Sequence, residues 1–507
     1  MTRNRRNTSA GRRAVHAKIM ASSVMTSMLS MKFFDKIVHM NDMEEYALKE
    51  ALMPYLKKKK VSDIRKKSAS KRRFRQRRSW ATFQASLTDR QFRRYFRMSR
   101  DCFQYLCDKI EANVGERTFK SECFLSDLKT SSESWNKYSV NLMQAHEAST
   151  GGFVSGEVKL ALTLRLLAGG SYLDLAVLYE VSSSSAYEIF HYVVKNWILD
   201  DRLVKINGLD YVNDEERLEQ VALEFARHSD GLFNGCIGAI DGWIVKIRKP
   251  TTRDNISNPG SFFSRKGFYG LNVVAIVDRK KRVLYRVIRS RGAEHDSTAF
   301  KNSALYKWLL QNWEWMNSKG FYFIGDSAYA LKAFLLTPFD NAMHGTPEDN
   351  YNFFQSSSRI CVECTFGEVD LRWGILWKPL CFKLQHNIQV IDACLRLHNF
   401  IVDYREEFES RSADVDSVER SLFNEDCRRF LAEQSGVGSV GVHGGEQDVL
   451  RNANGTEFQG GRPTNIEVET TAEGRSVRDR ISDYIRSQDM SRPPSNWYRD
   501  RNRVFEG

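Results

Sequence analysis

No run in this chain approaches eighteen consecutive apolar residues, which excludes an ordinary membrane-spanning helix. A secretory leader is also missing, and the nine cysteines, at 102, 107, 123, 236, 361, 364, 381, 394 and 427, are scattered and odd in number. That pattern does not suit a disulfide framework and indicates reduced thiols in an intracellular protein. Cys361 and Cys364 form a Cys-x-x-Cys, but no second pair or well-spaced histidine accompanies them. They read as packing thiols in preference to a zinc or redox centre. No internal repeat is present, and the first 34 residues hold seven Lys or Arg and no acid.

What is present is a long chain with an uneven charge. At 507 residues, with 42% hydrophobic and 12% aromatic content, it is long enough for two or three units plus flexible ends. Of the formal +13, residues 57–78 supply +12 and residues 1–34 supply +7, so the remaining chain is net −6. The basic character belongs to an arm, residues 1–79, whose Arg, Lys and Ser content and lack of an apolar period predict disorder. Lys57 to Lys60 and Lys71 to Arg78 resemble clustered nuclear import signals that also suit phosphates. An organelle transit peptide is the competing reading of the acid-free start.

Residues 80–205 carry a helical period: Phe92, Tyr95, Phe96, Phe103, Leu106 and Ile110 recur at intervals of three and four. Val158 to Ala168, Tyr172 to Tyr179 and Ser182 to Trp197 predict three further helices, the last two joined like a helix-turn-helix. A plain helical bundle is the alternative. The candidate recognition helix opens on Ser182-Ser183-Ser184-Ser185-Ala186, without Arg, Asn or Gln to read bases, and Glu180 stands where the turn usually has glycine.

Residues 206–410 change character. Strand-like runs at 236–240, 271–277, 283–288 and 321–324, with a helix around Thr298 to Leu310 and another over Val390 to Tyr404, imply an α/β layer architecture. Residues 411–507 read as a flexible tail with a short helix over Ser476 to Ser487.

Three acids stand out: Asp241 in Gly-Ala-Ile-Asp-Gly, Asp326 in Ile-Gly-Asp-Ser-Ala-Tyr and Glu363 in Arg-Ile-Cys-Val-Glu-Cys. Asp241 and Asp326 end apolar runs, and Glu363 lies in a helical segment that Ser357 or Ser358 would cap. Three hard oxygen ligands at one point suit Mg²⁺ or Mn²⁺ better than zinc. Such a site lets metal charge offset the negative charge of attack on a phosphodiester. Arg359, one turn before Glu363, is placed to hold a phosphate or orient the carboxylate. His295 and Asp296 either support the site or cap the next helix, and Lys246, Arg248, Arg265 and Lys266 are candidate phosphate contacts. Singly, an Asp-Gly is usually a turn and a helix Glu beside Arg a surface pair; the constellation carries the reading.

The motifs Gly238-Ala-Ile-Asp-Gly242, Tyr269 to Asp278, Gly292-Ala-Glu-His-Asp296, Gly325-Asp-Ser-Ala-Tyr329, Val362-Glu-Cys-Thr-Phe-Gly367 and Leu397-His-Asn-Phe400, in this order, resemble the PIF/Harbinger transposases. Asp326 follows Asp241 by 85 positions and Glu363 follows Asp326 by 37. The resemblance implies an α/β ribonuclease H-like catalytic domain with a DDE triad of Asp241, Asp326 and Glu363, a divalent metal, cleavage at transposon ends and attack of the freed 3′ hydroxyl on target DNA. It further implies a homo-oligomer on double-stranded terminal repeats, a separately encoded Myb-like partner and a nuclear location. Trp243-Ile244 and Ala330 depart from the family pattern. Two rivals stand: a domesticated, non-catalytic DNA- or chromatin-binding protein, and a structure-specific repair nuclease.

Overall fold

The computed structural model describes residues 79–115, 154–409 except 205, 207, 252, 253 and 255, and 465–493. All fall in the unit Arg75–Gly507. The basic arm through residue 78, its import clusters and the Gly/Ser/Asn-rich stretch 435–461 lie outside the described residues.

Hydroxyls start the helical region. Ser79, Thr88, Ser99, Ser155, Ser171 and Ser182 each accept a backbone N–H at a helix start, satisfying amides the helix leaves orphaned. They open α1 (Trp80–Ala85), α2 (Asp89–Phe96), α3 (Arg100–Val114), α4 (Gly156–Leu167), α5 (Tyr172–Leu178) and α6 (Ser183–Val193), the last continuing as a π turn over Val194–Ile198. Aromatic packing joins them: the Trp80 ring lies 5.2 Å from Phe103 and 5.8 Å from Phe96. In the α5–α6 turn, Glu180 takes the left-handed conformation itself, at φ 53°, and the Val181 N–H closes the helix end on the Ala176 carbonyl at 2.9 Å. A side chain there costs about 1 kcal/mol that glycine would not.

After α7 (Glu215–His228), the chain enters a five-stranded mixed sheet. The strands β1 (Cys236–Lys246), β2 (Gly270–Val277) and β3 (Val283–Arg291) pair antiparallel. Next come α8 (Asp296–Lys301), α9 (Ala304–Ser318), β4 (Tyr322–Ile324) and β5 (Leu335–Leu336). β4 runs parallel to both β1 and β5, giving the order β3-β2-β1-β4-β5. The expected helix around Thr298 to Leu310 is therefore two helices, with Ser303 capping the second. β1 also continues five residues past Asp241, paired with β2, so Asp241 lies inside a strand and not at its end.

Two long helices cover the sheet. α10 (Pro347–Arg372) starts at Thr346, whose hydroxyl accepts from the Asp349 N–H; Ser357 and Ser358, expected as caps, lie mid-helix. Trp243 of β1 stacks on Phe366 of α10 at 5.5 Å. α11 (Leu384–Tyr404) is tied to the β2–β3 corner. The Asn399 amide accepts from the Val283 N–H and donates to the Val283 carbonyl, both at 2.8 Å, and the buried His398 ring nitrogen sits 2.8 Å from the Lys281 carbonyl. Leu397-His-Asn-Phe400 is thus a structural latch.

The expected short helix at Ser476 is longer. α12 (Asn465–Ser487) docks on the sheet region, against α9, α10 and β5: Lys332 donates to the Glu467 carbonyl at 2.6 Å, and the Arg478 guanidinium lies 3.8 Å from the Phe339 ring centre. Gly474 allows that closeness, since a Cβ there would lie 2.5 Å from the Lys332 carbonyl carbon. No helix among the described residues is long and apolar enough to cross a membrane.

Candidate active site

The register of two parallel strands sets the first two acids side by side. Ala239 of β1 pairs with Ile324 of β4; Asp241 and Asp326 each follow that pair by two residues. Adjacent strands lie about 4.8 Å apart, and Asp326 follows just past the end of β4, next to the stretch of β1 that carries Asp241. α10 brings the third acid over them. Arg359 donates to Asp241 Oδ2 at 2.7 Å and to Glu363 Oε1, one turn along the helix, at 2.6 Å. Its side chain is 13% exposed, so one part-buried guanidinium joins β1 to α10 across the site. A side chain at Gly367 would meet nothing within 4 Å, leaving open space one turn beyond Glu363.

Burial pushes the Asp241 carboxyl up to about 6, against the opposing pull of Arg359 and of the Gly242 N–H, which donates to Oδ1 at 2.7 Å. Asp326 is raised as well, first by burial, with Arg359 opposing. Burial disfavours the charged guanidinium of Arg359, but Asp241, Glu363 and Asp326 outweigh it and hold its pKa above the ordinary value. Three carboxylates converging on one cation form a hard-oxygen donor set, which fits magnesium or manganese better than zinc. Among the described residues, no group of three or more Asp, Glu, His or Cys side chains is arranged to hold a metal ion.

The supporting residues separate. Asp296, at the first position of α8, reaches the layer beside Asp241: a Cβ on Gly242 would lie 2.1 Å from its Cγ. His295 takes the N-cap position of α8, exposed, and its side chain makes no capping bond. Among the basic candidates, Arg265 is exposed and close enough to Asp326 to lower its pKa. Lys246 lies five residues beyond Asp241, exposed, with its ammonium 5.0 Å from the Phe268 ring centre. Arg248 and Lys266 are exposed. Cys361 is buried, and burial pushes its thiol up to about 12, which opposes the thiolate that zinc or redox chemistry needs. The seven described cysteines are all free.

Two polar residues escaped the sequence reading. Asn272 is fully buried in β2 and donates to Asp296 Oδ1 at 2.6 Å; its signal was a lone amide inside Leu271-Asn-Val-Val-Ala-Ile-Val. Tyr329 is 4% exposed, and its phenol pKa is raised first by burial and then by Asp296, Asp241 and Asp326.

Comparison with known proteins agrees with the motif resemblance. The DDE superfamily endonuclease family model matches residues 240–399. The protein ALP1-like of Arabidopsis thaliana is 24% identical over 331 residues, covering 62% of this chain and 71% of its own length. The Arabidopsis thaliana protein antagonist of like heterochromatin protein 1 is 24% identical over 330 residues, 62% of this chain and 74% of its own. HARBI1 of Mus musculus is 26% identical over 173 residues, 34% of this chain and 47% of its own. No solved structure matches significantly.

Proposed function

From the premise that residues 240–399 are a DDE superfamily endonuclease domain, we propose that this chain is a divalent-metal-dependent DNA endonuclease and strand transferase of the PIF/Harbinger type. The observation that carries the reading is that Arg359 bonds Asp241 of β1 and Glu363 of α10 while Asp326, just past β4, acts on the same guanidinium through its charge. In this reading Asp241, Asp326 and Glu363 hold Mg²⁺ or Mn²⁺. When bound, the metal supplies the Lewis-acid charge that polarises a phosphodiester.

The chain's own residues do the rest. The Gly242 N–H fixes Asp241 Oδ1 and Arg359 holds Oδ2, so the carboxylate is oriented by two donors. The Arg359 guanidinium would also suit a phosphate oxygen. Arg265, beside Asp326, and Lys246, Arg248 and Lys266, all exposed, provide backbone contacts to double-stranded DNA. Residues 80–205 form the helical module, 206–410 the nuclease module and 1–79 a basic arm serving nuclear import. The active form is a homo-oligomer that joins two transposon ends, aided by a Myb-like partner.

A second reading, a domesticated DNA- or chromatin-binding protein without catalysis, is favoured by one relative's name, which refers to a heterochromatin protein. Nicking of a labelled duplex with candidate terminal repeats separates the two. Mg²⁺- or Mn²⁺-dependent nicking by the wild type, lost in Asp326→Ala, supports the nuclease. DNA binding without nicking, unchanged by Asp326→Ala and by an added Myb-like partner, turns the choice to the second reading.

A further inference from the structure

The two faces of β1 bring different groups toward Asp326. Arg359 and Glu363 approach from the face of Asp241, the face on which Trp243 stacks against Phe366. Gly242 points to the opposite face, and there Asp296 packs: a Cβ on Gly242 would fall 2.1 Å from its Cγ and 2.3 and 2.4 Å from its two oxygens. Any other residue at 242 would expel Asp296. β4 ends at Ile324, so Asp326 lies past the strand, where the two faces meet. Both faces act on it, Arg359 lowering and Asp296 raising its pKa.

Asp296 is held there. The fully buried Asn272 donates one amide nitrogen to Asp296 Oδ1 at 2.6 Å and to the Glu294 carbonyl at 3.0 Å, while its own Oδ1 is buried without a partner. Tyr329, 4% exposed, also carries a buried hydroxyl without a partner, set among Asp296, Asp241 and Asp326 closely enough for all three to act on it. A buried unsatisfied polar group costs about 1–3 kcal/mol, and this one, on a residue whose N–H bonds the Asp326 carbonyl at 3.3 Å and whose ring lies 6.0 Å from Phe300 of α8, marks a place where a ligand oxygen fits. A favourable helix dipole accounts for an aspartate at the first position of α8, but not for its approach to Gly242 or its bond to Asn272.

We infer that Asp296 is a fourth carboxylate of the cation site, positioned by Asn272 and entering from the far face of β1, with the Tyr329 hydroxyl as donor to an oxygen bound beside the cation. This rests on the reading of Asp241 and Asp326 as metal ligands. Gly242 is then part of the site because it admits the fourth acid.

The test is Mn²⁺ binding to the full chain without DNA, read by electron paramagnetic resonance and calorimetry, with melting in EDTA as the folding control. Wild type is expected to bind, Asp326→Asn to lose binding, and Asp296→Asn to bind at least about tenfold more weakly with an unchanged melting temperature in EDTA. Wild-type affinity and stoichiometry in Asp296→Asn, with binding lost in Asp326→Asn, overturns the inference and leaves the metal reading standing. No Mn²⁺ binding by the wild type overturns both. If Asp296→Asn unfolds, Tyr329→Phe decides, because it removes only the hydroxyl: affinity about tenfold weaker supports the inference, and unchanged affinity overturns it.

Discussion

The helical region and the sheet region bury different things. From residue 166 to residue 194 there is no Lys or Arg, and the acids are Asp174, Glu180 and Glu188. Helices there are joined by aromatic packing and started by hydroxyl caps, and the outward side of α5 is apolar, with Val177 72% and Leu173 53% exposed. The sheet region instead ties its covering helices down with charge. Arg359 joins α10 to β1, Arg286 forms a two-pronged pair with Asp392 of α11 at 2.7 and 2.8 Å, and Lys281 pairs with Glu368. The contrast teaches where chemistry is possible. Apolar packing holds helices together but leaves little for a phosphate to meet, whereas paired charges that hold helices on a sheet also assemble a site. The α5–α6 face, without cations, gives a poor electrostatic footprint for DNA, so DNA contact in our reading falls outside that face.

The largest effect expected from breaking this contrast is on the helical side. Phe103→Ala, in the cluster around Trp80, should cost about 4 kcal/mol in urea melts, with Mn²⁺ affinity of the folded protein unchanged. Next is Arg359→Ala, which leaves the largely buried Asp241 without its counter-charge and should cost about 3 kcal/mol in EDTA, the half-exposed Glu363 adding little. A divalent cation should recover part of that loss in the same melts, because it replaces the missing charge; no recovery would argue against a cation site.

A smaller, pH-dependent effect concerns the latch on α11. Burial, aided by Arg372, lowers His398 to about 4, below the ordinary 6.5 or so. The unfolded chain therefore takes up the proton first as pH falls, and stability should drop from about 6.5 down to about 4. In His398→Asn the curve of stability against pH should be flatter over that window, while contributions from Asp241 and Asp278 remain common to both proteins. An unchanged slope would show that His398 does not titrate with unfolding. The smallest effect belongs to the outward face of α5, where Val177→Lys should shift stability by less than about 0.5 kcal/mol; a larger shift would mean this face is covered.

The candidate site was legible because its acids sit where local signals change. Asp241 and Asp326 interrupt apolar runs, and Glu363 lies in a helical segment. The start of α10 was hidden for a physical reason. Its first half turns one aromatic anchor inward, Tyr351 against Phe233 and Phe339, but sets polar residues beside it: Asn352 bonds the N–H and carbonyl of Phe339 at 2.7 and 2.9 Å, and Gln355 donates to the Gly325 carbonyl at 2.7 Å. Polar residues on the inward face interrupt the apolar period. The length of α12 was hidden likewise, with Thr470 buried against its own helix and its N-terminal half bonded to Lys332.

The sequence by itself determined the helical periods, the strand runs and the identities of the three acids, since each depends on residues within a few positions of one another. Only the tertiary structure decided which oxygens share a guanidinium, that β1 runs on past Asp241, and that Gly242 makes room for Asp296. Those facts join residues that are distant along the chain, and strand register and helix docking bring them together.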